Sequence, residues 1–168
     1  TKDFYEFTPS TNVWVQKADF GGKSISRGVG FSIGTKGYFG TGFQEKYSKD
    51  FWEYDPSSNI WTQKADFGGS SRSGAAGFSI QNKGYIGTGS DGTYQNDFWE
   101  YDPATKIWLQ KADFAGSKRI DAVGFNVGDK GYLGTGHEAS NALSKDFWEY
   151  DPVTDMWTQK NDFGGTAR

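Results

Sequence analysis

The sequence of 168 residues contains no cysteine, a single histidine and a single methionine. Without cysteine, the chain itself can form no disulfide, no thiolate metal site and no cysteine nucleophile. One histidine excludes any site that needs two imidazole groups. The sequence also lacks the run of about 18 apolar residues that a membrane-spanning helix requires. We therefore predict a chain that binds no metal and no cofactor and does not span a membrane.

The charge and the aromatic content narrow the class of protein further. Acidic residues outnumber basic ones by 21 to 18, so a nucleic-acid backbone is not an expected partner. Aromatic residues make up 18% of the chain, which argues against disorder, because bulky apolar groups offset the entropy cost of ordering. The chain begins with Thr1 and shows no leader pattern, so we expect an excerpt of a longer protein or a processed chain.

Three sequence motifs recur at a spacing of about 47 residues, which is typical of a repeat architecture. The motif Asp-Phe-Trp-Glu-Tyr-Asp-Pro occupies 50–56, 97–103 and 146–152, and a looser copy occupies 3–9. The motif Trp-x-Gln-Lys begins at Trp14, Trp61, Trp108 and Trp157. The motif Lys-Gly-Tyr-x-Gly-Thr-Gly occupies 36–42, 83–89 and 130–136.

Each repeat is predicted to form four short antiparallel strands. In the repeat 72–114 the expected strands lie at 77–80, 85–88, 98–101 and from Ile107 onward. Asn82 and Gly84 suit the first turn, and no segment carries the apolar period of a helix. A four-stranded unit of this length is typical of a β-propeller blade. We predict an all-β propeller in which the repeated aromatic side chains fill the space between blades.

One repeat resembles the kelch repeat in the order of its residues: Arg72, then Tyr85 before a glycine, then Tyr101-Asp102-Pro103, then Trp108. The resemblance covers almost the whole chain and implies a kelch-like β-propeller. Two departures are visible, since Gly-Thr-Gly stands where kelch units carry adjacent glycines and Ile25 stands at the place of Arg72 and Arg119. The near-identical repeats look like those of secreted bacterial kelch-type proteins, which implies an extracellular or cell-surface location.

The resemblance divides the chain into unequal parts. Residues 3–20 correspond to the outer half of a blade, 27–67, 72–114 and 119–163 to three blades, and 164–168 to the start of the next. Propellers usually close with four to eight blades, and an unclosed ring exposes strand edges and aromatic faces. We expect the remaining blades or another chain to cap the open ends, and we favour a fragment of a larger closed propeller.

Two sets of loops are expected on one face of the propeller. The loops 20–28, 67–75 and 114–122 share that face with 43–49, 90–96 and 137–145, and the second set varies most between repeats. Variable loops on a rigid scaffold are frequent binding sites. The candidate binding residues in the variable loops are Phe43, Glu45, Tyr47, Asp91, Tyr94, His137 and Glu138.

Arg27, Arg72 and Arg119 begin inner strands near the predicted central channel, and Asp121 lies close by in sequence. The arginines could clamp an anionic ligand, because guanidinium groups bind carboxylates through two hydrogen bonds. They could equally serve as structural partners of backbone carbonyls or of an acid in a neighbouring blade. Both roles are open from the sequence.

Two functions from different classes fit the pattern. The first is a non-enzymatic binding or scaffold module that presents its loop face to a protein or glycan partner. The alternative is a sugar-active enzyme of the kelch type, a mutarotase or an oxidase, whose catalytic residues lie partly outside this chain. The resemblance implies that the oxidase needs a cysteine and several histidines, and that a mutarotase would use Arg27, Asp121 and Arg119.

The paired acids Asp50 and Glu53 recur in each full repeat. A catalytic pair of carboxylates has to be unique, so repetition argues against a glycosidase. We expect these acids to satisfy turn amides and to line the outer strands. The sequence therefore predicts no catalytic residue within this chain.

Overall fold

The structure is a computed structural model that describes residues 1–168, and all of its regular elements are strands. An N-terminal hairpin contains β1 (Tyr5–Thr8) and β2 (Val13–Gln16). The first blade contains β3 (Val29–Ile33), β4 (Lys36–Gly40), β5 (Phe51–Asp55) and β6 (Ile60–Gln63). The second contains β7 (Ala76–Ile80), β8 (Lys83–Gly87), β9 (Phe98–Asp102) and β10 (Ile107–Lys111). The third contains β12 (Val123–Val127), β13 (Lys130–Gly134), β15 (Phe147–Asp151) and β16 (Met156–Lys160).

The prediction of four antiparallel strands per repeat is confirmed. Within each blade the strands pair in chain order, so the sheet begins with its innermost strand and ends with its outermost. The innermost strands β3, β7 and β12 lie beside one another, which stacks the three sheets around one side of a common axis. The structure contains no helix of the length and apolar character that a membrane span requires.

One further strand pair was not predicted from the sequence. β11 (Arg119–Ile120) pairs with β14 (His137–Glu138), at the start of the loop predicted for 137–145. Single bridges Ser26↔Phe43 and Ser73↔Ser90 occupy the corresponding places in the other repeats. The third repeat extends this bridge by one residue pair. A strand of two residues is too short to produce a recognisable pattern in the sequence.

The inner halves of neighbouring blades meet through a phenylalanine and two glycines. Phe31 of the first blade lies against Gly84 of the second, where an added Cβ would come within 2.4 Å of the ring. Phe78 of the second blade lies in the same way against Gly131 of the third, where an added Cβ would come within 2.2 Å. Only glycine leaves room for the ring, so these glycines form holes for the phenylalanine of the preceding blade.

The outer halves of neighbouring blades meet through aromatic edges. The ring of Phe51 lies 4.9 Å from those of Tyr101 and Trp108 in the second blade, at steep interplanar angles. Phe98 repeats this geometry against Tyr150 and Trp157 of the third blade. Edge-to-face pairs of this kind add stability beyond that of the buried area. The repeated aromatic residues thus pack between blades, as the sequence predicted.

A buried arginine ties each pair of neighbouring blades together. The backbone of Arg72 accepts from Gly42 N–H and donates to Ser48 of the first blade, at 2.6 and 3.0 Å. Its guanidinium reaches the second blade, where it donates to both carboxylate oxygens of Asp97 at 2.5 and 2.7 Å. Thr88 O and two atoms of Ser70 accept its other bonds, so all five N–H donors are used.

Arg119 ties the second blade to the third in the same way. Its backbone carbonyl accepts from Gly89 of the second blade, and its guanidinium donates to both carboxylate oxygens of Asp146 in the third. Loss of solvent opposes ionisation of Asp146, but hydrogen bonds from Arg119, Ser144 and Trp148 outweigh it and lower the pKa of this carboxyl. We call each of these arginine–aspartate connections an arginine staple.

The repeated acids have structural partners. Glu53, Glu100 and Glu149 accept hydrogen bonds from the tyrosine hydroxyls of Tyr38, Tyr85 and Tyr132 on the adjacent strand. The turn amides that the sequence analysis assigned to Asp50, Glu53 and their equivalents are instead bound by another repeated acid, the last residue of β5, β9 and β15. Those turn-binding residues are Asp55, Asp102 and Asp151.

We expect Asp97→Asn to lower the free energy of unfolding by about 3–5 kcal/mol, because it leaves the buried guanidinium of Arg72 without its counter-charge. The matched control is Asp50→Asn in the first blade, where Ile25 stands in place of the arginine; we expect a change within about 0.5 kcal/mol. Urea denaturation of both variants measures the difference. Equal losses in the two variants would contradict the structural role of the staple.

We also expect stability to fall in alkaline solution, because burial raises the pKa of Tyr101 from 10.0 to about 12. The unfolded chain releases this proton first, so the stabilisation is complete below pH 10 and is lost as the pH rises toward 12. The loss from this group is about 2–3 kcal/mol. Denaturation at successive alkaline pH values measures it, and Tyr101→Phe should show a shallower decline. Identical slopes for the two proteins would refute this assignment.

Candidate functional site

The two predicted sets of loops lie side by side on one face, which we call the loop face. The bridges Ser26↔Phe43 and Ser73↔Ser90 and the β11–β14 pair join each loop that enters a blade to the loop between its second and third strands. In each blade one residue follows the bridge and precedes the innermost strand. These three residues lie next to one another and form what we call the inner rim. The rim residues are Arg27, Gly74 and Asp121.

The inner rim is a strained segment of backbone. Gly74 N–H donates to the carbonyl of Arg27 at 3.0 Å, and Asp121 N–H donates to that of Gly74 at 2.8 Å. All three residues have positive φ, of 56°, 65° and 56°. Glycine adopts this conformation freely, whereas it costs other residues about 1–2 kcal/mol. Strained residues of this kind concentrate at functional sites.

Arg27 and Asp121 form an ion pair that crosses over Gly74. Both side chains are about half exposed, at 49% and 50%, so the pair faces solvent on the loop face. A Cβ on Gly74 would come within 2.8 Å of an Asp121 carboxylate oxygen, which explains the glycine between them. The structure therefore brings together two of the residues that the sequence proposed for this site.

Arg72 and Arg119 do not share that exposed position. Their exposures are 1% and 0%, and their guanidinium groups are engaged in the arginine staples. The clamp for an anionic ligand that we considered for them is therefore not available, because a ligand would have to displace the buried carboxylates. The mutarotase set of Arg27, Asp121 and Arg119 is likewise not assembled on one accessible surface.

The variable loops place aromatic groups around the rim. Phe43 is exposed and meets the edge of Tyr47 at 5.4 Å within the first loop. Tyr94 of the second loop forms a hydrogen bond of 3.0 Å with Nδ1 of His137 of the third, linking neighbouring blades. These contacts give the loop face two separate aromatic patches.

The three candidate acids of the loops differ in role. Asp91 braces its own loop, where its carboxylate accepts from Thr93 and from Gln95. Partial burial opposes its ionisation, but hydrogen bonds from Ser70, Thr93 and Gln95 outweigh this and lower its pKa. Glu138 lies 3.6 Å from the guanidinium of Arg119, whereas Glu45 is exposed. Of the three, only Glu45 is free for a ligand.

A polar cleft of about 660 Å³ opens in the first blade, where the arginine staple is missing. Asp50 there receives only a hydrogen bond of 3.3 Å from Gln44, and the buried Nε1 of Trp52 has no acceptor. In the second blade the equivalent indole, Trp99, donates to the stapled Asp97 at 2.8 Å. Because Ile25 stands where the other repeats have arginine, the first blade lacks the staple. Asp50 therefore has no arginine partner, and Trp52 lacks the hydrogen bond that Trp99 makes in the second blade.

Lysines surround this first-blade cleft. Lys23, Lys46 and Lys49 line it with Asp50 as the only acid, and no salt bridge engages any of the three. An adjoining cleft of about 340 Å³ shares Lys23, Gln44 and Lys46 and adds Glu45. The remaining wall residues of the larger cleft are Gly21, Gly22, Tyr47, Ser48, Gln63 and Ser71. The cleft is thus polar and carries an excess of positive charge.

The sequence analysis missed these lysines, although a signal was present. Ser70, Thr93 and Asn96 stand in the second repeat at the places of Lys23, Lys46 and Lys49, whereas the third repeat has Ser117 at the place of Lys23 and Lys145 at that of Lys49. A comparison of the aligned repeats, rather than a search for motifs, would have marked the first blade as the one that differs.

The stacked four-stranded sheets define a protein of the β-propeller type. The solved structure of YjhT resembles this chain with a TM-score of 0.83 at 16% sequence identity. The match covers 99% of this chain and 61% of that one, so the chain spans less than two thirds of that structure. No family model matches the sequence, and a comparison with curated proteins found no match. The likeness to YjhT establishes the fold.

We expect Arg27→Gly to be more stable than Arg27→Ala by about 1 kcal/mol, because both remove the ion pair but only glycine relieves the positive φ. Thermal or urea denaturation measures this order. At Thr62, an exposed residue of β6, the same pair of substitutions should show the reverse order, since glycine weakens a regular strand. Equal stability of the two Arg27 variants would exclude backbone strain at the rim.

Proposed function

We propose that this chain is part of a kelch-like propeller that acts as a non-enzymatic binding module, and that its loop face binds a glycan carrying acidic groups. The observation that carries the proposal is the first-blade cleft, where the arginine staple is missing and the unpaired Lys23 and Lys46 stand in place of the neutral Ser70 and Thr93 of the second repeat. The kelch assignment rests on the resemblance of the repeats together with the propeller fold.

The chemistry of the cleft supports an acidic ligand. Its volume lies within the range usual for binding sites of small molecules. Lys23, Lys46 and Lys49 supply positive charge that no acid of the chain neutralises through a salt bridge, and Gln44 and Gln63 add amide donors and acceptors. A carboxylate or sulfate group on a sugar would interact with the lysines, while hydroxyl groups would bind the amides.

The surroundings of the cleft favour a sugar over an acidic peptide. Tyr47 and the indole of Trp52 line the cleft, and Phe43 lies beside Tyr47. Aromatic surfaces next to polar groups match the alternating apolar and hydroxylated faces of a sugar ring. A protein partner would be expected to bury a larger apolar patch, and only two of the twelve residues that line this cleft, Tyr47 and Trp52, are hydrophobic.

Binding is favoured over catalysis by the state of the repeated acids. Asp97 and Asp146 are held by arginine, and Glu53 accepts from Tyr38 and pairs with Lys64. Burial opposes the ionisation of Glu53, but these two partners lower its pKa below the usual range. Such carboxylates are unsuited to donate a proton at neutral pH. We also propose an extracellular or cell-surface location, where a glycan ligand would be met.

The test is binding of polygalacturonate, with neutral dextran as the reference polymer, measured by isothermal titration calorimetry. We expect polygalacturonate to bind and the double variant Lys23→Ala/Lys46→Ala to lose at least about tenfold in affinity, equivalent to about 1.4 kcal/mol. Lys118→Ala is the matched control, because this exposed lysine lies on the same face in the third blade. We expect its affinity to remain unchanged.

Three results would overturn the proposal. Equal binding of dextran would remove the role of charge, and equal losses in the Lys118 variant would show a non-specific electrostatic effect. Preference for polyglutamate over polygalacturonate would assign the cleft to acidic peptides instead.

A further inference from the structure

Three residues in and around the first-blade cleft depart together from the pattern of the second repeat. The replacements, each with its counterpart in the second repeat, are Lys23 for Ser70, Ile25 for Arg72 and Gln44 for Asp91. In the second blade the counterparts form one network, because the hydroxyl of Ser70 accepts from Arg72 at 3.0 Å and donates to Asp91. The first blade therefore has a different set of polar groups in the place of a complete network.

The cleft depends on residues of the first repeat alone. In the second blade the guanidinium of Arg72 donates only to Ser70, Thr88 and Asp97, so the staple needs nothing outside residues 70–97. The corresponding stretch of the first repeat, 23–50, has all of its residues in the structure. The opening of the cleft therefore follows from the residue types of this stretch.

The indole of Trp52 carries a donor that has lost its partner. In the second and third blades the equivalent indoles donate to a carboxylate oxygen of Asp97 and of Asp146, each at 2.8 Å. Nε1 of Trp52 is buried and has no acceptor. A buried N–H without a partner lowers stability, so an acceptor oxygen brought to this place would be bound favourably.

This nitrogen lies next to the wall of the cleft. A Cβ added to Gly22, which lines the cleft, would lie 3.2 Å from Nε1 of Trp52. In the second blade a Cβ added to the equivalent Gly69 would instead lie 2.9 Å from Nη2 of Arg72. The space beside Gly22 is thus one that a guanidinium fills in the second blade and that no side chain of the staple fills in the first.

Gln44 engages the one acid of the cleft. Its Nε2 donates to a carboxylate oxygen of Asp50 at 3.3 Å, and this carboxylate does not accept from Trp52. The residues at the equivalent place in the other repeats, Asp91 and Glu138, are acids and would add a second negative charge here. The neutral amide leaves the cleft with three lysines and one carboxylate, which favours an anion.

We propose that the group bound in the first-blade cleft is the carboxylate of a uronic acid, and that one of its oxygens accepts the N–H of Trp52. A carboxylate is favoured over a sulfate ester because both formed examples of this indole contact use a carboxylate oxygen. The flexible side chains of the wall move aside to admit it, and Lys23 balances its charge. Gln44 is a positioning residue, because it holds Asp50 away from the donor. This inference rests on the proposed function.

The test follows the indole N–H signals of isotope-labelled protein by NMR during titration with oligogalacturonate. The chain has 7 tryptophans, and the variants Trp52→Phe and Trp99→Phe identify two of the signals by their disappearance. We expect the Trp52 signal to shift and to saturate with the dissociation constant found by calorimetry, because a new hydrogen bond changes the environment of the donor proton. The Trp99 signal is the internal control and should stay in place, since its N–H is already bonded.

Two conservative substitutions measure the effect on affinity. Trp52→Phe keeps an aromatic ring but removes the N–H, and Gln44→Glu keeps the shape of the side chain but adds a negative charge. We expect each to lower the affinity for oligogalacturonate about tenfold. Gln159→Glu is the matched control, because this exposed glutamine lies on the outer strand β16 of the third blade, and its affinity should be unchanged.

The outcomes distinguish this inference from the function on which it rests. If oligogalacturonate binds but the Trp52 signal stays in place, or if Trp52→Phe binds equally well, the inference is wrong and the binding function stands. If dextran sulfate binds as tightly and shifts the same signal, the choice of a carboxylate is wrong. If no acidic glycan binds in calorimetry, both are wrong. If Trp52→Phe does not fold, sequential assignment of the indole signals in the unaltered chain replaces it.

Discussion

The buried pairing of one guanidinium with one carboxylate joins each pair of neighbouring complete blades in this protein. Arg72 is attached by its backbone to the first blade and by its side chain to Asp97 of the second, so it fixes both their spacing and their rotation. All five donors of this group have acceptors, which is the condition for burying an arginine without a large loss of stability. The phenylalanine–glycine and aromatic contacts accompany the staple at both junctions between complete blades, and aromatic contacts also join the N-terminal hairpin to the first blade, where Ile25 replaces the arginine.

Repetition divides the residues of the chain into two groups. The residues that recur, among them Tyr85, Trp108 and Asp97, are engaged in packing or in hydrogen bonds within and between blades. Many of the residues that differ between repeats lie in the variable loops of the loop face, 43–49, 90–96 and 137–145. The replacement of arginine by Ile25 belongs to the second group, and its effect is to exchange a closed ion pair for an open polar cleft. This change is confined to the first blade, so the junctions of the first blade with the second and of the second with the third keep their arginine staples.

An apolar groove lies between the N-terminal hairpin and the first blade, lined by Phe4, Tyr38 and Trp61. This groove and the exposed face of the third blade have the same origin. Each inner half-blade presents a phenylalanine on one side and a glycine pair on the other, so a stack of them ends with one unfilled hole and one unburied ring. Gly37 and Phe125 are those two ends.

The sequence by itself determined the fold class, because the 47-residue period and the alternating aromatic strands leave few other ways to bury both faces of a small sheet. It also left open two roles for Arg72 and Arg119, and only burial decided for the structural one. The ion pair of Arg27 with Asp121 joins residues 94 positions apart. Both residues adopt positive φ angles, which their residue types do not predict. The first-blade cleft and the groove at β1 exist only where separate repeats meet, so tertiary packing alone revealed them.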